Sequence, residues 1–323
     1  MRFALTEEQS DLVATVHTLI AKRAASMDLR AAISAPEGYD TTLWHTLSEQ
    51  IGVTALAVPE AYGGVGCSYI EAHLVLEEIG ATLTPSPFVG TLLATQVLTA
   101  ADTPRAGELL ERIAGGATAA VAAPGSDLVI DATGAEIILV LRDDQVHAVD
   151  ASAAQITPTP ALDPTWRFAT VTVDDASGVL VGTVDPAYVT TVGATVMTAL
   201  QAGAAREALE RTVAYLKERH QFGRPLGSFQ ALKHRCADLL VQVETARTMS
   251  WAAAWELTQP TPDISLIHAA KTWCSDAFSQ VAAEMIQLHG GVAITWEHDA
   301  HLYFKRAHAT AQLFRAPHEE TDE

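Results

Sequence analysis

Residues 219–230 read Arg219-His220-Gln221-Phe222-Gly223-Arg224-Pro225-Leu226-Gly227-Ser228-Phe229-Gln230, and they join the end of one long helical pattern to the start of the next. A second segment, Gln287-Leu288-His289-Gly290-Gly291, ends a third helical pattern. Arginine offers a fork of donors that fits a pyrophosphate, a helix start offers free N–H groups, and glycine lets the backbone approach a ligand closely. Each segment alone fits an ordinary helix–turn–helix, but their combination predicts a diphosphate-binding site.

The helical patterns around these two segments are long and separated by short loops. Apolar residues at helical spacing predict helices at about residues 186–219, 229–258, 263–289 and 297–314. Long helices joined by short loops favour an antiparallel four-helix bundle. The pair Gly290-Gly291 predicts a left-handed stop for the third helix.

The N-terminal third of the chain is helical as well. Thr6-Glu7-Glu8-Gln9 is a capping box that starts a helix, with Thr6 as N-cap and Gln9 reaching back. The helical pattern then recurs further along the chain. The corresponding helices are predicted near residues 42–51, 68–79, 87–99 and 105–114.

The pattern changes to β-type after Gly115-Gly116. Three runs are rich in apolar and β-branched residues at 137–141, 146–149 and 168–173, and acidic or proline-rich stretches separate them. The predicted fold is therefore mainly α with a small β unit in the middle. The predicted domains are a helical domain at 1–117, a reduced β domain at 118–184 and a four-helix bundle at 185–323.

Composition narrows the classes of partner. The formal net charge is −19 and the isoelectric point about 4.9, so the chain should repel nucleic acid and anionic membranes. Cys67, Cys236 and Cys274 show neither a disulfide framework nor zinc-ligand spacing. The sequence shows no signal-peptide core and no apolar run long enough to span a bilayer. We expect a cytoplasmic protein.

The motifs together resemble those of the acyl-CoA dehydrogenase family. The pattern R-x-Q-F-G-x-P-L-x-x-F-Q stands at 219–230, and Q-x-x-G-G stands at 287–291. The N-terminal half agrees at Leu56-Ala57-Val58-Pro59-Glu60 and Glu77-Glu78-Ile79-Gly80, so the resemblance covers nearly the whole chain. It implies an acyl-CoA dehydrogenase-like fold and FAD, whose ADP part is held across a subunit interface. The residues that the resemblance assigns to cofactor binding are Arg219, Gln221, Phe222, Phe229, Gln230, Gln287, Gly290 and Gly291.

The residues expected to carry the family's chemistry are missing. The family uses a glutamate base at one of two positions, and alignment places Arg315 at one and Gly193 at the other. Neither side chain can remove a proton, so no catalytic residue is predicted. Three acids are weaker substitutes, and each is better explained as a solvated side chain. These acids are Glu297, Glu319 and Glu320.

The β unit also departs from the family's pattern. The stretch Ala122-Ala123-Pro124-Gly125-Ser126-Asp127 resembles a shortened flavin-contacting loop that lacks its threonine and glutamate. Trp166 stands in a different context from the family's flavin-side tryptophan, and we expect it to pack in a core. The chain therefore keeps its contribution to a neighbour's FAD while lacking its own flavin and acyl pocket.

This combination resembles the base-less subunit of actinobacterial heterotetrameric (α2β2) acyl-CoA dehydrogenases, several of which are linked to steroid side-chain breakdown. The resemblance implies an FAD-dependent oxidoreductase complex in which the FAD is shared with a partner subunit. That catalytic partner would hold the acyl-CoA substrate, and an electron-transfer protein would take up the electrons. Two alternatives stay open: a complete homomeric dehydrogenase with a displaced base, and a ligand-free scaffold pseudoenzyme.

Three histidines near the C-terminus suggest a metal site at first sight. His298 and His301 share a helix face, and His308 lies two turns from His301. Asp299 points elsewhere, and no pair of Glu-x-x-His motifs faces a bundle core. The same stretch also matches the dehydrogenase pattern, so no metal is predicted.

Overall fold

The computed structural model describes residues 4–24, 29–123, 128–174 and 177–315. The chain divides into two compact units, Met1–Val189 and Thr190–Glu323. The mainly helical class predicted from the sequence is confirmed. The finer division at residues 117/118 and 184/185 stays a prediction. Within the described ranges, none of the helices is both long and apolar enough to cross a bilayer.

The first unit begins with helices whose starts follow local capping rules. The predicted capping box is confirmed, since the Thr6 N–H donates to Gln9 Oε1 at 3.0 Å and the Gln9 N–H donates to Thr6 Oγ1 at 3.2 Å. The segment predicted as a helix near residues 42–51 is divided, because a short α-helix continues there as a π-helical stretch at Thr46–Ile51. The helices are α1 Glu7–Ala24, α2 Leu29–Ser34, α3 Thr41–His45, α4 Tyr69–Ala81, α5 Phe88–Ala101 and α6 Pro104–Ala114.

Seven strands follow in the described part of the same unit. They are β1 Ala119–Ala122, β2 Val129–Ile130, β3 Ile137–Arg142, β4 Gln145–Asp150, β5 Gln155–Thr159, β6 Phe168–Thr172 and β7 Val179–Thr183. One sheet has the order β1-β3-β4-β7, and the other has the order β2-β6-β5. The pair β1–β3 is parallel, and the other pairs are antiparallel. Strands β3, β4 and β6 match the three predicted runs.

Helices α5 and α6 share a buried cluster with the four-stranded sheet. Val97 and Leu110 of α5 and α6 pack in the same buried cluster as Leu139 of β3 and Val181 of β7. Helix α6 is amphipathic, so its apolar face covers the four-stranded sheet while its charged face meets water. Burying one face of the sheet in this way stabilises the β unit.

The second unit contains the predicted bundle. Helix α7 spans Pro186–Glu218, and it is followed by a short hairpin of strands β8 His220–Gln221 and β9 Arg224–Pro225. Helices α8 Gln230–Leu257, α9 Ile264–His289 and α10 Ala300–Gln312 complete it. Helix α10 starts three residues later than predicted, because residues 290–294 form a 3₁₀ segment and turns follow it.

The stop predicted after α9 is only partly right. Gly290 has a positive φ of 66°, but its ψ of −147° is not the left-handed helical value. This region of backbone space is essentially restricted to glycine. Gly290 therefore ends the helix in an extended, positive-φ conformation and not in the predicted αL conformation.

The bundle core contains a chain of polar side chains among its alanines. The Gln201 amide donates to Ser275 Oγ at 3.0 Å and to Thr310 Oγ1 at 3.1 Å, so it joins α7, α9 and α10. The ammonium of Lys271, which is 3% exposed, donates to the same Ser275 hydroxyl at 2.9 Å. Buried polar groups of this kind must be paired to be tolerated, and these partners provide the pairing.

Candidate functional site

The arginine-containing segment folds as a tight hairpin at the end of α7. The two central residues, Phe222 and Gly223, have φ values of 54° and 77°. Positive φ at both positions is the requirement of a type I′ turn, the preferred two-residue hairpin connection. The Leu226 N–H closes the loop by donating to the Arg219 carbonyl at 2.8 Å. The predicted binding residues are therefore held on a defined turn.

Aromatic contacts fix the hairpin against the start of α8. The Arg224 guanidinium lies 3.9 Å from the centre of the Phe229 ring, in a cation–π contact. The Phe222 ring meets Phe229 edge-on at 6.2 Å and is itself 89% exposed. An apolar ring with this exposure on a rigid turn is available for contact with a partner or a ligand.

The polar side chains of this segment face solvent. Arg219 and Gln221 are exposed, and Gln230 is the first residue of α8, where N–H groups and the helix dipole favour an anion. The Gln230 amide contacts His234 Nε2 at 2.9 Å. The chain as a whole is strongly acidic and gives no general attraction for a phosphate. Any affinity for a phosphate must therefore come from these local donors.

The second segment lies at the end of α9. Gln287 is exposed, and Gly290 and Gly291 follow the buried His289. A β-carbon built at either glycine would meet no atom within 4 Å. The space beside both glycines is open, so a ligand could approach this backbone closely, while the Gly290 N–H itself donates to the Ile286 carbonyl.

The structure brings the two segments to the same end of the bundle. Tyr215, in the last turn of α7, stacks on His289, the last residue of α9, with ring centroids 4.3 Å apart and an interplanar angle of 25°. Sequence reasoning missed this contact. A usable signal was present, because Tyr215 stands four residues before Arg219 and so shares its helix face.

The two positions aligned with the family's base also lie together. Gly193 is buried in α7, and a β-carbon built there would overlap the Phe314 ring. Phe314 has a positive φ of 50°, and the next residue, Arg315, is exposed with its Nε donating to the Ala311 carbonyl at 3.2 Å. The space beside Gly193 is thus filled by an aromatic ring.

Two basic side chains, Lys271 and Arg315, interact electrostatically in this part of the bundle. Burial lowers the pKa of Lys271 to about 8, and the positive charge of Arg315 acts in the same direction. The apolar neighbours of the Phe314 ring include Ala194 and Ala270. The Phe314 ring and the Arg315 guanidinium provide no proton acceptor.

The remaining sequence candidates are placed as follows. Glu297 is exposed, while Glu319 and Glu320 lie outside the described residues. Residues 124–127 of the shortened loop also lie outside them. Trp166 packs its ring 5.6 Å from the buried Phe168 ring. Its side chain is only half-buried, so it lies at the edge of the core and not inside it as predicted.

His298, His301 and His308 take part in aromatic contacts. His298 lies 4.8 Å from His289, and its Nδ1 accepts the Ala300 N–H at 3.1 Å. His301 stacks on Trp296 at 5.2 Å, and His308 meets the Phe304 ring at 4.3 Å. Each of these three imidazoles therefore has a role in local packing.

Family models and relatives agree with this architecture. The model for the acyl-CoA dehydrogenase N-terminal domain matches residues 6–117, and the model for the C-terminal domain matches residues 188–316. Acyl-CoA dehydrogenase IpdE2 of Mycobacterium tuberculosis is 43% identical over 97% of this chain and 95% of its own length.

Solved structures give the same result. A variant of the Tcur3481-Tcur3483 steroid ACAD has a TM-score of 0.86 at 27% identity, covering 96% of this chain and 94% of its own. The ChsE4-ChsE5 complex from Mycobacterium tuberculosis has a TM-score of 0.84 at 25% identity, with the same coverage. The chain belongs to the acyl-CoA dehydrogenase family, whose members bind FAD and are flavin-dependent oxidoreductases that act on acyl-CoA.

Proposed function

We propose that this chain is the base-less subunit of a heterotetrameric (α2β2), FAD-dependent acyl-CoA dehydrogenase. A catalytic partner subunit supplies the flavin platform, the acyl-CoA pocket and the carboxylate base. This chain supplies the ADP-side contacts to the shared FAD in trans. The complex forms an α,β-unsaturated thioester and passes its electrons to an electron-transfer protein.

The observation that carries the proposal is the filling of the base position. Abstraction of a weakly acidic α-proton needs a positioned carboxylate. Here one aligned position is Gly193, beneath the Phe314 ring, and the other is the solvent-exposed Arg315. A glutamate at residue 193 would have to displace the aromatic ring, so the lack of a base is built into the packing.

The cofactor contacts, in contrast, fit a dinucleotide. FAD supplies the hydride acceptor when it is bound. Arg219 and the exposed Gln221 and Gln287 offer charged and neutral donors to its diphosphate. The open face of Gly290 and Gly291 lets a phosphate approach this backbone closely, with the Gly291 N–H as the proposed donor. The role of these residues is to bind and orient the ADP half of FAD.

The identity of the partner and the substrate is supported by the relatives. One similar structure is a steroid ACAD, and another is a complex of two differently named chains. We therefore propose a second acyl-CoA dehydrogenase chain as the partner and a steroid side-chain CoA ester as the substrate class.

Co-expression with a candidate catalytic acyl-CoA dehydrogenase chain tests the assembly. The expected result is a complex with equal numbers of both chains and fewer flavins than chains, measured by native mass and by absorbance. A yellow, active protein formed by this chain alone would favour the homomeric alternative. A complex without flavin would favour the scaffold alternative.

Two variants of the complex test the roles of individual residues. Arg219→Ala should release FAD, and Arg315→Ala, an exposed arginine outside the proposed clamp, is the matched control. Unchanged flavin content in Arg219→Ala contradicts the proposal.

Glu297→Gln should leave turnover unchanged, because the base belongs to the partner. If Glu297 were a displaced base, kcat would fall by about 10²-fold or more. That fall would support a complete catalytic site in this chain.

A further inference from the structure

A pair of stacked rings, Tyr215 and His289, joins the arginine segment at the end of α7 to the glycine segment at the end of α9. Neither ring belongs to the proposed FAD-binding residues. The Tyr215 ring stacks on the His289 ring, and its hydroxyl donates to the His289 carbonyl at 3.3 Å. His298 covers another side of the His289 ring at 4.8 Å. The imidazole of His289 is thus enclosed by groups from α7 and from the turn before α10.

On the α7 side, the ring pair is connected directly to Arg219. The Arg219 N–H donates to the Tyr215 carbonyl at 2.8 Å. Arg211, one turn earlier on the same face, bonds Asp299 at 3.0 Å and lies 5.6 Å from the Tyr303 ring. Residues 211, 215 and 219 follow an i, i+4, i+8 spacing. The face that leads to Arg219 is therefore anchored at two successive turns.

On the α9 side, the ring pair holds the turn that presents the glycines. The carbonyl of His289 is among the last four of the helix, which lack intrahelical donors, and the Tyr215 hydroxyl supplies one. His289 Nδ1 contacts the Met285 carbonyl at 2.8 Å, which fixes the ring over the last helical turn. The next residue, Gly290, then takes its glycine-only conformation.

We infer that Tyr215 and His289 are positioning residues that set the separation of Arg219 from Gln287 and the glycine pair, so that both halves engage one diphosphate. The inference rests on the proposed function. Removing the ring pair leaves every proposed donor in place but lets the ends of α7 and α9 move independently. Misalignment of otherwise intact groups weakens a binding site as effectively as their loss.

The test measures the Kd of FAD for the reconstituted complex by flavin fluorescence. Tyr215→Leu removes the ring and should raise the Kd about tenfold. Tyr215→Phe keeps the stacked ring and loses only a long hydrogen bond, so it should raise the Kd by less than about threefold. Trp251→Leu is the control, since it removes a ring that contacts Arg247 in the C-terminal half of α8, about 30 Å along the helix from Gln230.

A coupling measurement separates positioning from general support of the fold. In a Gln287→Ala background one half of the clamp is already weakened, so Tyr215→Leu should then raise the Kd by clearly less than it does alone. Native mass and the thermal midpoint of each complex check assembly. Tyr215→Met, which keeps side-chain volume, replaces Tyr215→Leu if the latter does not assemble.

The outcomes distinguish this inference from the proposed function. If Arg219→Ala releases FAD but Tyr215→Leu leaves the Kd within twofold of the parent complex, the ring pair has no positioning role. An undiminished effect of Tyr215→Leu in the Gln287→Ala background also overturns the inference. If Arg219→Ala itself retains FAD, the proposed clamp is wrong and the inference has no basis.

Discussion

Lys271 offers a direct test of the polar chain in the bundle core. Its ammonium is almost fully buried and donates to Ser275 Oγ at 2.9 Å. Replacing it in Lys271→Met keeps a long, unbranched side chain and removes the charge. Ser275 keeps its other partners, since its hydroxyl donates to the Lys271 carbonyl at 2.8 Å and accepts from Gln201 at 3.0 Å.

The expected gain follows from the pKa of the ammonium. Burial lowers that pKa from 10.5 to about 8, and a difference of one in pKa corresponds to about 1.4 kcal/mol. Burying the charge therefore costs on the order of 3 kcal/mol at pH 7. The lost hydrogen bond opposes this by about 1 kcal/mol. We expect Lys271→Met to raise the free energy of unfolding by about 2 kcal/mol at pH 7.

The gain should depend on pH with a definite sign. The folded chain binds the Lys271 proton less tightly than the unfolded chain, so folded stability rises as the pH increases from about 8 towards 10.5. Below pH 8 both states are protonated, and the full penalty is present. Near pH 10 the advantage of the variant should fall to about zero, because the parent chain then buries a neutral amine.

Urea denaturation at pH 7 and pH 10, followed by tryptophan fluorescence, measures both values. Lys233→Met is the control, since Lys233 is exposed on α8 and should change stability by less than about 0.5 kcal/mol. A variant that is no more stable than the parent at pH 7, or whose gain is the same at both pH values, would refute this reasoning.

Three further substitutions, with Gly291→Ala as a control, probe backbone and packing. Gly193→Ala should destabilise by about 1–3 kcal/mol, because its β-carbon would overlap the Phe314 ring; an unchanged thermal midpoint would contradict that packing. Gly290→Ala should cost about 1–3 kcal/mol, whereas Gly291→Ala, whose φ is not positive and whose β-carbon meets nothing, should be near neutral in urea denaturation; equal losses would argue against backbone strain at Gly290. Ser68→Ala should cost about 1 kcal/mol, because it removes both the cap on the Ile70 N–H and the bond to Glu71; calorimetry that detects no change would show that the cap is dispensable.

The long helices were predictable because their signals are local. The third bundle helix was expected at 263–289 and is observed at Ile264–His289, with Asp263 as its N-cap. Apolar spacing, caps and glycine stops act within a few residues of each other. The same holds for the capping box at Thr6, whose two hydrogen bonds join residues three apart.

Of the seven strands that the structure describes in the β unit, four were not predicted, because their signals are not local. Strand β1 is Ala119-Ala120-Val121-Ala122, which has no β pattern of its own and becomes a strand by pairing with β3. Strand β5 contains Pro158, and it lies at the edge of its sheet, where proline is tolerated. Both segments become strands because they pair with partners distant in the sequence, and a short window of sequence does not reveal such pairing.

In the candidate site, too, the features that depend on local sequence were predictable. The eight proposed FAD contacts were found from the motifs, and their arrangement as a hairpin and a glycine turn follows from residues such as Phe222-Gly223, whose backbone requirements are local. The absence of an acid at Gly193 and Arg315 was also predicted from alignment with the family's pattern. The roles of these residues in FAD binding stay a prediction.

Sequence by itself determined which segments are helical, which residues can donate to a phosphate and which family the motifs resemble, since each depends on the type and spacing of near neighbours. Only the tertiary structure decided that Tyr215 stacks on His289 and that Phe314 covers Gly193. Both contacts join residues far apart in the chain. They form because packed helices bury facing side chains at close distance, and the identity of the facing partner is set by the assembled bundle.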